Sequence, residues 1–192
     1  MTTDWLSKGA TERKGDWMQT FSGVQFWPLD PRPEEILIED IAHSLSNQCR
    51  YAGHCTQFYS VAQHSVMVSR IVPPQFAKWG LLHDAAEAYL VDLPRPLKRF
   101  SPLGNVYMPI EARLMMCVCE RFGLPYAEPP EVKDADNVLL MTEKRDLMPN
   151  CPAKWREVAE SLAGKIVPWS PEDAEQEFLC LWAELAEMGA AK

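Results

Sequence analysis

Four side chains have the types and spacing to hold a divalent metal ion: His64, the adjacent pair His83 and Asp84, and, much later, Asp136. His64 falls on the same helical stripe as Val68 and Ile71, so it faces inward. His83 and Asp84 stand in an otherwise apolar helical pattern that runs through Trp79, Leu82, Ala86 and Tyr89. An inward carboxylate is costly without a cation, and a metal ion supplies one. Asp136 stands just before the apolar face of its own helix, Val138-Leu139-Leu140. Two His nitrogens and two carboxylate oxygens suit a first-row divalent ion such as Zn, Mn, Co, Fe or Ni, with Mg as a further option. Three helices would each contribute, as helical bundles do when they build metal sites in their cores. Spacing alone leaves two other readings open: an ordinary core histidine, and an incidental His-Asp pair.

Glu87 adds chemistry to the cluster. It follows His83 by four residues and Asp84 by three, so all three project from one helix face. A carboxylate there could take a proton from a metal-bound water, whose pKa falls from about 15.7 toward about 7. Asp92, at the end of the same segment, could protonate a leaving oxygen. An exposed helix charge and a turn residue are the plain alternatives for these two. Two basic clusters could hold phosphate. One is Arg95, Lys98 and Arg99, directly after Asp92. The other is Arg50-Tyr51-Ala52-Gly53-His54, with a guanidinium, an aromatic face for a base, and a glycine for close approach. Either cluster by itself reads by default as a solvated loop; their interest comes from flanking the metal helices.

The elements that must position these residues are mostly helices. Residues Met18 to Leu29 read as a small hairpin broken at Ser22-Gly23, followed by an extended turn at Asp30-Pro31-Arg32-Pro33. A helix starts at Ile38, with Ile41, Ala42 and Leu45 as its inner face. Further helices are expected over Ser60–Val72, Pro74–Leu90, Met108–Phe122, Glu131–Met148, Ala153–Ile166 and Pro171–Met188. Gly123 reads as a C-cap, and Ser170 with Pro171 as a helix start. The predicted fold is all-α with a short N-terminal β-hairpin. It forms a single domain over 1–192: an extension over 1–37, a metal-binding helical core over 38–148, and C-terminal helices over 149–192.

Bulk properties narrow the partners. A net charge of −8 argues against a surface that tracks DNA or RNA, while leaving room for a nucleotide beside a metal. No apolar run reaches the length of a membrane span. Met1–Lys14 lacks the apolar stretch of a secretory signal. The six cysteines form no CxxC pair and read as reduced thiols of a cytoplasmic protein, several of them in the core.

Taken together, the pattern resembles the HD-domain phosphohydrolases, whose metal motif is a His, an adjacent His-Asp and a distant Asp. The likeness is carried by Gln63-His64, by Leu81-Leu82-His83-Asp84-Ala85-Ala86-Glu87, by Asp92-Leu93-Pro94-Arg95-Pro96-Leu97-Lys98, and by Asp136. It is strongest to the bacterial 5′-deoxynucleotidase branch and its phage relatives that act on deoxynucleoside triphosphates, and it spans roughly Ile38 to Met148. The resemblance implies an HD-domain bundle with one metal ion on His64, His83, Asp84 and Asp136. It implies Glu87 and Asp92 as the acid–base pair and Arg50 near the substrate phosphate, followed by the aromatic Tyr51. It implies a homo-oligomer acting on a small deoxynucleotide. No histidine follows His83 to hold a second metal. His54 has no counterpart in the branch, and the loop from Arg50 to His64 differs in length, which leaves base and phosphate number open. Three functions remain in competition: a 5′-deoxynucleotidase, a dNTP phosphohydrolase, and a non-catalytic nucleotide sensor.

Overall fold

The computed structural model describes residues 13–190. Most of the polar start at Met1–Lys14, and with it the first part of the expected 1–37 extension, lies outside the described residues. The hairpin forms where the sequence places it, with strands β1 (Met18–Gln19) and β2 (Gln25–Phe26) pairing antiparallel, Met18 opposite Phe26. Its turn needs a positive φ, which Gly23 supplies at +85°. Apart from an isolated antiparallel bridge between Cys49 and Ser60, the other regular structure among the described residues is helical, so the molecule is mostly α with one short hairpin.

Helix α1 (Ile38–Asn47) buries Ile41, Ala42 and Leu45 as the periodicity predicts. Helix α2 (Val61–Ile71) is capped by Ser60, whose hydroxyl accepts from the Gln63 amide at 3.0 Å. It is the central helix: α1, α3 (Ala77–Leu82), α7 (Pro130–Leu147) and α8 (Pro171–Ala190) pack on it, and eight of its residues are buried. The last helix, α8, opens on the Ser170 cap, where the Asp173 amide donates to Ser170 Oγ at 3.1 Å.

Three expected helices come out differently. The single helix over Pro74–Leu90 is interrupted: α3 ends at Leu82, residues 83–86 form a turn, and α4 (Glu87–Leu90) follows. The dihedrals stay right-handed, at −60° and −32° for His83. The hydrogen bonds shorten to the i−3 pattern, however: Ala85 to Leu82, Glu87 to Asp84 and Ala88 to Ala85. The Gly80 carbonyl accepts from the His83 ring at 2.8 Å. Tightening to about three residues per turn re-aims side chains locally, and the segment affected carries His83 and Asp84.

Second, the Arg95–Arg99 stretch is a helix rather than a loop, α5 (Arg95–Phe100), and α6 (Pro102–Phe122) begins six residues before the expected Met108. The Ser101 hydroxyl caps α6, accepting from the Leu103 amide at 3.2 Å, and Pro109 sits inside the helix. Gly123 closes it at φ +66°. Gly104 lets α5 and α6 meet, since a Cβ there would lie 1.9 Å from the Lys98 carbonyl oxygen.

Third, Ala153–Ile166 is not a helix. The segment crosses α7 as irregular backbone and hydrogen-bonds to its side chains: the Leu162 amide donates to Thr142 Oγ1 at 2.9 Å and the Ile166 amide to Asp146 Oδ2 at 2.8 Å. Arg145 donates to the carbonyls of Leu162 and Gly164. Side chains thus satisfy a backbone that a helix would have satisfied internally.

All six cysteines are free, but only Cys119 is fully buried. Cys49, Cys55 and Cys117 are partly covered, and Cys151 and Cys180 are exposed, fewer in the core than expected. Among the described residues no helix is long and apolar enough to cross a membrane.

Candidate metal centre

His64 projects from α2 with its side chain completely buried. Its Nδ1 lies 2.6 Å from Glu143 Oε1, itself completely buried on α7. His83 places its Nδ1 on the Gly80 carbonyl. A carboxylate and a carbonyl only accept, so both Nδ1 atoms carry the hydrogen. That leaves the Nε2 lone pairs of the two rings facing each other at 3.2 Å. Two acceptors at that distance repel unless a cation or a proton sits between them. Around them gather Asp84 Oδ2, 3.2 Å from His83 Nε2 and 3.8 Å from His64 Nε2, and Asp136 Oδ1, 3.3 Å from His64 Nε2.

His64, His83 and Asp84 therefore form a group able to hold a metal ion, their donor atoms lying within 4.8 Å of one another. The three shorter separations, 3.2, 3.2 and 3.3 Å, fit the size of such an ion. Ligand bonds of about 2.1 Å put neighbouring donors roughly 3.0–3.4 Å apart in tetrahedral or octahedral shells. Asp136 extends the group through its contact with His64, while its other oxygen binds Lys133 Nζ at 2.6 Å. The donors come from two helices and the turn between α3 and α4, not from three helices.

The charges in this cluster are mutually dependent. Burial works against a charged His83, yet Asp84 and Asp136 outweigh it and push the imidazole up to about 9. Burial likewise opposes the Asp84 and Asp136 carboxylates, but the neighbouring histidines and Arg50 hold both well below the usual range.

Glu143 went unnoticed in the sequence. It binds three partners at once: His64, Arg50 Nε at 3.1 Å, and the Tyr51 hydroxyl at 2.5 Å. Burial raises its pKa, but Arg50 and His64 bring it down to about 2. It stands behind the candidate ligands, fixing the tautomer and orientation of His64. The one available signal was its place two turns after Asp136, on the same face of α7.

Arg50 reaches the cluster, with Nη1 3.6 Å from Asp84 Oδ2, so part of its charge already answers protein carboxylates. Tyr51 and Ala52 adopt left-handed dihedrals, with φ of 55° and 51°. Gly53 follows at φ +81°, and nothing would meet a Cβ there, so this glycine supplies backbone conformation rather than close approach. His54 is exposed beside it. His43 lies elsewhere, with Nδ1 3.0 Å from Glu175 Oε2.

Glu87 opens α4 and is buried rather than an exposed helix charge. Burial, together with Asp84 and Asp92, pushes its carboxyl well above the ordinary value. Asp92 is exposed and accepts from Lys98 Nζ at 3.2 Å; Lys98 also donates to Glu111 at 2.8 Å. Lys98 is therefore committed to carboxylates, whereas Arg95 and Arg99 are exposed on α5. Val91 stands between Glu87 and Asp92 at φ +61°, unusual for a β-branched residue, and its carbonyl accepts from Tyr107.

No family model matches the chain. It is similar to the uncharacterized protein RCAP_rcc00048 of Rhodobacter capsulatus, 40% identical over 131 residues that cover 64% of this chain and 66% of that protein. It is also similar to the uncharacterized protein YfdR of Escherichia coli strain K12, 41% identical over 175 residues that cover 89% of this chain and 96% of that protein. With that identity over nearly the whole of both sequences, this chain belongs to the family of YfdR.

Proposed function

We propose that this chain is an HD-type, metal-dependent phosphohydrolase that removes phosphate from deoxynucleoside 5′-monophosphates. The observation that carries the reading is the pair of imidazole Nε2 atoms facing each other at 3.2 Å with two carboxylates beside them. His64, His83, Asp84 and Asp136 would hold one divalent transition metal such as Co, Mn, Zn, Ni or Fe, with Mg as a further option. Such an ion supplies Lewis acidity, polarising a phosphoryl oxygen and making a water acidic enough to attack near neutral pH.

The remaining roles fall to protein side chains. Glu87 takes the proton of the attacking water, and its raised pKa makes its ionised form a stronger proton acceptor than an ordinary carboxylate. The water oxygen bonds to phosphorus as the bond from phosphorus to the 5′ oxygen breaks. Asp92 gives that oxygen a proton taken up from solvent beforehand, which first frees it from its pair with Lys98, and Glu87 returns the water's proton to solvent. Arg50 and Tyr51 line the approach, the first offering a cation to phosphate and the second a ring to the sugar or base. A second reading, a dNTP phosphohydrolase, is favoured by one feature: Arg95 and Arg99 are exposed on α5 and could answer further phosphates. A homo-oligomer in the cytoplasm belongs to the same proposal.

The test is phosphate and polyphosphate release from a panel of deoxy- and ribonucleotides with Co, Mn, Zn or Mg added in turn. Turnover of deoxynucleoside monophosphates is expected, with Glu87→Gln retaining metal and losing about 10²–10⁴ in rate. Turnover confined to triphosphates moves the protein to the second reading. Metal bound with no turnover of anything overturns the enzyme reading in favour of a nucleotide sensor.

A further inference from the structure

We infer a second ligand site, apart from the metal cluster: a cavity of about 340 Å³ between the β1–β2 hairpin and helices α1 and α4 that binds a small planar organic cation. Its walls include Thr20, Phe21, Asp40, His43, Ser44 and Tyr89.

Two buried polar groups point to an occupant. Asp40 is 3% exposed, and no lysine or arginine among the described residues lines the cavity. Its oxygens accept from the Ser22 amide and hydroxyl, each at 2.7 Å, and its place in the first turn of α1 lets the helix dipole answer part of its charge, which leaves further lone pairs facing the cavity side. Buried carboxylates are ordinarily matched by a cation. Tyr89 is 5% exposed, and its buried hydroxyl, with the Leu37 backbone amide near its oxygen, makes no hydrogen bond of normal geometry among the described residues. A buried tyrosine hydroxyl normally finds one.

The remaining walls favour a flat, positively charged guest. Phe21 stacks on the His43 ring at 3.6 Å and 11°, and Tyr89, one face of which stacks on Phe26 at 4.2 Å, adds a third aromatic ring. Aromatic faces attract organic cations. Glu175, which holds His43 at 3.0 Å, adds to the negative field. The volume lies at the small end of ligand pockets, which suits an amidinium, a guanidinium or a protonated aromatic amine. The four-residue helix α4 joins this cavity to the candidate centre, since Glu87 is followed directly by Ala88 and Tyr89, both in the cavity wall.

The experiment is calorimetric titration of the full chain with benzamidine, the planar cation, and with benzoate, its anionic counterpart, both with and without chelator. Binding needs no turnover, so failure here leaves the proposed activity untouched, and the reverse. Benzamidine is expected to saturate one site at roughly millimolar concentration, unaffected by chelator, while benzoate does not bind. Asp40→Asn should weaken it by about tenfold or more, as loss of a charge-assisted bond requires. Because Asp40 also anchors Ser22, the isosteric Tyr89→Phe serves as the second variant. It should keep the melting temperature and weaken binding by about fivefold. Equal affinity in Tyr89→Phe, equal binding of benzoate, or no saturation by about 10 mM benzamidine overturns the site.

Discussion

At the scale of single residues, the centre depends on where each proton sits. In the metal-free protein His83 is held protonated up to about 9, above the ordinary imidazole value of about 6.5. A raised histidine contributes stability fully below about 6.5 and loses it as pH rises through about 9. A metal needs the same lone pair, so binding at about pH 7.5 must release close to one proton. Titration in buffers of different ionisation enthalpy measures this, and release near zero would take His83 out of the ligand set. Glu143 is held low by Arg50 and His64, so its contribution runs the other way: present above the ordinary carboxylate range and lost as pH falls toward about 2. Glu143→Gln should lower metal affinity by about ten- to a hundredfold by loosening His64, with nickel or cobalt titration as the readout; unchanged affinity would leave Glu143 with a purely structural role. The four candidate ligands could be named from the sequence because histidines are scarce and a His-Asp pair inside an apolar pattern stands out. Glu143 was not, because a lone acid on a long helix reads as a solvated charge unless its burial is known.

At the scale of elements, periodicity located α1, α2, α7 and α8 to within one or two residues, because each buries one clear face. It failed where side chains, rather than a helix's own ladder, satisfy the backbone. The His83 ring takes the Gly80 carbonyl where α3 ends, and α7 side chains hold the 148–170 segment as an irregular crossing. Neither pattern leaves a trace in hydrophobic spacing. The left-handed run Tyr51-Ala52-Gly53 belongs to the same class, held at one end by the Tyr51 hydroxyl on Glu143 and closed where the Thr56 amide donates to Leu147 at 2.8 Å. Non-glycine residues in that conformation cost about 1–2 kcal/mol each. Gly53→Ala should therefore destabilise the protein by about 1 kcal/mol or more, whereas Ala52→Gly should be neutral or stabilising despite the added chain entropy. Denaturant unfolding of both variants checks the pair. A neutral Gly53→Ala would mean that the left-handed turn does not persist in solution.

For the whole molecule, a metal-filled centre would also be a fastener. The candidate ligands lie on α2, on the turn joining α3 to α4, and on α7, and α2 is the helix on which α1, α3, α7 and α8 pack. Without a metal, two facing imidazoles, one of them held protonated up to about pH 9, and two carboxylates are gathered in the core of a chain that already carries a net charge of −8. An ion that binds only the folded state stabilises it by RT ln(1 + [M]/Kd), about 2.7 kcal/mol at a hundredfold excess over Kd. For a chain of this size each kcal/mol moves the melting temperature by about 2–4 °C. Chelation should therefore lower it by about 5–11 °C, and Asp84→Ala should melt at one temperature with or without chelator. Glu87→Gln removes no ligand and should retain the full metal-dependent shift, so the same melting curves separate the residues that hold the ion from the residue proposed to move a proton. If chelator left the unaltered protein's melting temperature in place while Glu143→Ala still lost several kcal/mol, the cluster would be a buried ion-pair network, with Glu143 and Arg50 rather than a metal joining α7 to the loop before α2.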